Sequence, residues 1–263
     1  GVQGIAPEAK ILPVRDSTSA RGGNSITVGN AIKWAVDNSA TVVNVSSTTG
    51  PSLEMQEALT SAKARDVVIV AGVGNTSSSA EIELPAAAPG VLAVGSIDRS
   101  RKHSAFSIMG EQVQICAPGV DILTTRMGGG YAYSHGTSPA TAIVSGAAAL
   151  VRAKFPDLSA PEVIHRLTAT ADDVGPPGRD DECGFGVLNI VKALTADVPP
   201  LAGASPSVSA GAPPSGSAGS DAQPERDDSS AAVIGGIGAV VLLIGGIIAF
   251  LLVRRRKERS VQD

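Results

Sequence analysis

Two stretches of this 263-residue sequence carry residue types and spacings suited to nucleophilic chemistry. The first is Gly128-Gly129-Gly130-Tyr131-Ala132-Tyr133-Ser134-His135-Gly136-Thr137-Ser138-Pro139-Ala140. Small and aliphatic residues from Thr141 to Val151 follow it and read as a helix. Ser138 falls at the start of that helix, where a stiff turn holds its Oγ and the helix N-terminus favours negative charge developing beside it. A nucleophilic serine needs such a fixed, exposed position and a neighbouring base. A serine that only caps a helix needs the position alone, and the local pattern admits both roles. The second stretch is Val67-Val68-Ile69-Val70-Ala71-Gly72-Val73-Gly74-Asn75, a buried strand ending in Gly-Asn. An asparagine amide at the C-terminal edge of a strand can donate to an oxyanion, and active sites of parallel α/β sheets gather at that edge. A plain turn asparagine has the same local sequence.

Positioning these groups requires a scaffold, and the flanking pattern supplies one. Strands are expected at Ile11–Val14, Thr41–Val45, Val67–Val70 and Val91–Val94. Between them, residues 26–38 set Ile26, Val28, Ile32, Ala35 and Val36 on one helical face, and residues 52–64 do the same with Leu53, Met55, Leu59 and Ala62. A later helix over 159–170 opens with Ser159-Ala160-Pro161-Glu162, a capping box with Pro in the first turn. Short apolar strands separated by amphipathic helices predict an α/β fold whose parallel sheet is covered on both faces.

Composition narrows the function. The chain has 21 basic and 25 acidic residues, a formal charge of -4, which argues against a nucleic-acid partner. Two Cys and three His argue against a Cys/His zinc cluster, and no carboxylate cluster suggests a metal, so no cofactor is expected. Residues 1–195 read as the globular part. Residues 196–230, rich in Pro, Ala, Ser and Gly, read as a semi-extended, disordered linker. Residues 231–253 are apolar and uncharged, and as a helix they would span about 34 Å against about 30 Å of hydrocarbon. Arg254, Arg255, Arg256, Lys257 and Arg259 follow in a short basic tail, 254–263. The positive-inside rule then puts the tail in the cytoplasm and the globular domain outside a cell membrane crossed once.

Taken together, Gly136-Thr137-Ser138-x-Ala140 with its small-residue helix resembles the nucleophile motif of subtilisin-like serine proteases, the subtilases. Val70-Ala71-Gly72-Val73-Gly74-Asn75 resembles that family's oxyanion-hole strand. Gly1–Ala9, Pro89–Gly95, Ala117-Pro118-Gly119 and Gly184–Asn189 resemble further family landmarks, in the family's order, so the likeness covers nearly all of 1–195. The protease domain, linker, single anchor and basic tail together resemble mycosins, the proteases that accompany type VII secretion.

The resemblance implies an incomplete three-layer subtilisin-like fold and a serine endopeptidase acting on peptides or exported proteins, next to a type VII membrane complex. It implies Ser138 as nucleophile and Asn75 as oxyanion donor. Ser46-Ser47-Thr48 would be the substrate-pairing strand, and Ala71, Gly72, Val73 and Gly74 the wall of the pocket for the residue before the cleaved bond. Ser47-Thr48 departs from the family's usual Leu-Gly, Pro139 replaces an unbranched apolar residue, and Ile143 stands where many members have His. The family's catalytic Asp and His would lie upstream of Gly1, so the chain is expected to be a fragment holding the rear part of the domain, short of some strands. The alternatives are an inactive fragment or a non-catalytic scaffold of a secretion complex. Among the histidines, His135 reads as a rim residue, His103 in Arg99-Ser100-Arg101-Lys102-His103 as solvated, and His165 as facing neither motif. On the exported side, Cys116 and Cys183 could pair with each other, pair with cysteines outside this chain, or stay free.

Overall fold

The computed structural model describes residues 2–17 and 22–201, so the expected span at 231–253, the basic tail and most of the linker lie outside the described residues. Among the described residues no helix is long and apolar enough to cross a membrane.

The β-branched runs form a four-stranded parallel sheet of β1 (Val42–Val45), β2 (Val68–Gly72), β3 (Leu92–Ile97) and β4 (Ile115–Pro118), paired in that order. β2 is buried at every position, as expected of a strand with a neighbour on each side and a layer on each face. Its alternation divides the core. Ile69 and Ala71 join Val45, Ala93 and Val73 in a cluster with α1 (Ser25–Asp37) and α2 (Leu53–Ala64). Val68 and Val70 join Leu92, Val94, Ile115 and Ala117 in a second cluster under α3 (Thr137–Lys154), α4 (Ala160–Ala169) and α5 (Ile190–Thr195). The result is the expected three layers, helix, sheet and helix, with the period of two in the strands deciding which side chain enters which core.

The helices start where their capping chemistry begins. Asn24 accepts from Thr27 N, Ser52 accepts from Met55 N, and Ser159 and Glu162 close the capping box before α4. Two positions on the expected faces are corrected: Ile26 and Leu53 lie at helix starts and are exposed, while Gly29 and Ala58 are buried instead. Ile11–Val14 forms no strand. Pro13 has no N–H to give a ladder, and the segment instead runs along a cavity of about 1210 Å³ that it lines with β1, α1 and α3. β4 and an antiparallel hairpin of β5 (Ile122–Thr125) and β6 (Tyr131–Ser134) are additions to the expected strands. Cys116 in β4 and Cys183 form a disulfide that closes a separation of 67 residues, in a small core with Ile97 and Val187.

Candidate active site

Ser138 occupies the first turn of α3, whose N-cap is Gly136 at φ 135. That conformation is ordinary for glycine and strained for any residue with a Cβ. Two groups dock this turn. Gly136 N–H donates to Gly119 O at 2.9 Å, and Thr137 N–H donates to Asn75 Oδ1 at 3.1 Å. Gly72 lets the end of β2 approach the same turn, since a Cβ there would lie 3.0 Å from Thr137 Oγ1 and 2.9 Å from Thr141 Oγ1. The first turn of α3, with Ser138 in it, is therefore fixed from three sides by groups at the sheet's C-terminal edge: Gly119 O, the Asn75 side chain and the backbone of Gly72.

The bond from Thr137 also orients Asn75. It takes the amide oxygen, which leaves Nδ2 as the end able to donate, beside the N-terminus of α3. A half-buried amide donor and a serine hydroxyl at one helix end are the parts an acyl-transfer site needs: something to attack the carbonyl, and something to hold the charge that forms on its oxygen.

Ser138 faces the turn after β1. Its Oγ donates to Ser46 O at 3.4 Å, and Ser46 Oγ donates to Ser138 O at 3.3 Å. Behind Ser46, a Cβ at Gly74 would lie 3.2 Å from Thr48 Cγ2, so only glycine lets the two segments come this close, and Thr49 N–H donates to Leu84 O at 2.9 Å. The structure thus brings Ser46, Thr48, Gly72, Gly74, Asn75 and Ser138 to one edge, with Ser47 half-buried beside Ser46. Ala71 and Val73 have no exposed surface and belong to the core under α1 and α2, so at this edge they offer backbone rather than side chain.

No histidine is hydrogen-bonded to Ser138 among the described residues. His135 is exposed at the rim; its Nδ1 accepts from Asp121 N–H at 3.3 Å and its Nε2 lies 3.7 Å from Asp121 Oδ1. His165 Nε2 lies 3.2 Å from Pro199 O, away from both motifs. His103 is half-buried rather than solvated, with a buried Nε2 that has no partner. Burial pulls its pKa below the usual imidazole value, against the opposing pull of Glu182 and Asp180. No cluster of three or more His, Cys, Asp or Glu side chains fit for a metal exists among the described residues. Sequence reasoning passed over Asn44, the one polar side chain within β1; that oddity in a β-branched run was the available signal.

The subtilase-family profile (peptidase S8) matches residues 1–186. The chain belongs to the subtilase family. Subtilisin DY of Bacillus licheniformis is 36% identical over 198 residues, covering 73% of this chain and 71% of that protein. Subtilisin NAT of Bacillus subtilis subsp. natto is 35% identical over 198 residues, but there the chain spans only 51% of its relative. Among solved structures, MycP1 with its N-terminal propeptide removed superposes with a TM-score of 0.64 at 30% identity, covering 74% of this chain and 73% of that one. These subtilase homologues are serine endopeptidases, and the mycosin MycP1 is among the structural neighbours.

Proposed function

We propose that this subtilase chain is the nucleophile-bearing part of a membrane-anchored serine endopeptidase that works beside a type VII secretion complex on exported proteins. The observation that carries the protease reading is Ser138 in the first turn of α3 with the Asn75 amide held beside it by Thr137 N–H. In the reaction, Ser138 Oγ attacks the carbonyl carbon of an extended peptide. The C–O bond forms as the hydroxyl proton passes to a histidine, and Asn75 Nδ2 with the Ser138 N–H holds the oxyanion. Collapse breaks the C–N bond, the histidine returns the proton to the departing amine, and water releases the acyl group by the same steps. No histidine among the described residues contacts Ser138, so the reading needs that histidine and its orienting Asp from polypeptide outside them. The greater length of its relatives is consistent with this.

Membrane anchoring rests on the uncharged run 231–253 and the basic residues after it, and the secretion-system context on the similarity to MycP1. Removal of 231–263 is expected to release the protein from a carbonate-washed membrane fraction; retention would count against the anchor. A fluorophosphonate probe on the full-length protein tests the enzyme. Labelling at Ser138 that disappears in Ser138→Ala is expected, and an unlabelled Ser138 rejects the reading. One observation favours a second reading: the Ser138 hydroxyl rests on a carbonyl, Ser46 O, which cannot serve as a base. A non-catalytic scaffold would keep secretion intact in Ser138→Ala and lose it when 231–263 are removed.

A further inference from the structure

β1 reads Val-Val-Asn-Val, and Val42 packs into the cluster beneath α3. Asn44, two residues on, is exposed, yet its amide is not given over to solvent. Both ends of its amide are engaged instead. Nδ2 donates to Ser46 Oγ at 3.1 Å, and Oδ1 lies 3.1 Å from Ser145 Oγ, whose single proton is shared with Thr141 O at 2.8 Å. Ser46 in turn donates to Ser138 O and, through its own carbonyl, receives the Ser138 hydroxyl. A continuous line of polar contacts therefore runs from the third turn of α3 through β1 and back to the first turn, where the nucleophile sits.

We infer that Asn44 is a positioning residue: it fixes the rotamer of Ser46 and through it the placement of Ser138. The inference rests on the protease reading of Ser138. The bonds to Gly119 O and Asn75 dock the first turn of α3 on the sheet edge, and Asn44 adds a tie from β1, reaching the helix at Ser145 and the turn after β1 at Ser46. Ser46 has a rotatable hydroxyl with one proton, and a donor from Asn44 leaves that proton free to point at Ser138 O. Without that donor the hydroxyl can turn away, and the Ser46–Ser138 contact loses its direction.

The test compares Asn44→Val, which suits a strand and keeps the fold, with Asn44→Asp, which keeps the acceptor for Ser145 and loses the donor to Ser46. Asn38→Ala is the control, since Asn38 Nδ2 caps α1 by donating to Trp34 O and lies outside this line. Fluorophosphonate labelling of full-length protein is expected to slow about five- to tenfold in both Asn44 variants, the value of roughly one hydrogen bond, with melting temperature little changed. Asn38→Ala should lower the melting temperature and label at the wild-type rate. Wild-type labelling rates in the Asn44 variants overturn the inference. Should the wild-type protein not label, the protease reading fails by itself, and hydrogen exchange decides the role of Asn44. Faster exchange of the Thr49 and Thr137 amides in Asn44→Val upholds it, and unchanged exchange overturns it.

Discussion

Asp172 accepts hydrogen bonds from Lys192 Nζ (2.7 Å) and Asn189 Nδ2 (3.0 Å) on one carboxylate oxygen and from Arg101 (3.1 Å) on the other. These donors, Lys192 foremost, outweigh partial burial and lower its pKa from 3.8 to about 2. Because the folded value lies below the unfolded one, the stabilisation is whole above pH 3.8 and is lost as pH falls toward 2. Melting temperature should therefore drop over that window, and Asp172→Asn should flatten the drop; equal slopes in both proteins would refute it. Asp172 illustrates what residue-level reading misses. Its partners come from two separate segments, the loop at Arg101 and the start of α5, and nothing in the sequence around it marks their meeting. Ser138 and Asn75 were legible because each ends or begins an element whose pattern is local. Asn44 was visible as a polar interruption, but its partners Ser46 and Ser145 meet only when α3 lies across the sheet.

At the scale of elements, β2 and β3 were readable because a central parallel strand is an unbroken apolar run bounded by turns. β4 was not, since Gln114 and Pro118 confine its apolar run to Ile115–Ala117. The β5–β6 hairpin hid inside a stretch whose glycines and Gly-Thr-Ser drew attention to chemistry. Its alternation of exposed and half-buried positions, with Leu123 opposite Tyr133, is a clear strand signal once the turn at Arg126–Gly130 is recognised. The disulfide reinforces a place where elements already meet: Cys116 N–H donates to Gly186 O at 2.9 Å, and Leu188 N–H to Cys116 O at 2.8 Å. Replacing both cysteines by serine frees a loop of 67 residues and should cost about 4 kcal/mol in the chain-entropy account, read as a lower guanidinium midpoint. A midpoint that does not move would mean those backbone bonds alone hold the loop in the unfolded ensemble as well.

For the whole molecule, the three-layer arrangement followed from pattern alone, because two faces of one sheet must each be covered. The fate of Ile11–Val14 did not. A β-branched run becomes a strand only if a partner is in register, and here the segment borders a cavity instead. α3 touches all four strands of the sheet as well as α4 and α5, so Ser138 is carried by the part of the molecule with the most neighbours. Among the described residues β1 pairs with β2 on one side only, and it lines the cavity. Unpaired peptide groups along a strand edge are a template for one more extended segment, so that edge is where a further strand of this sheet would add.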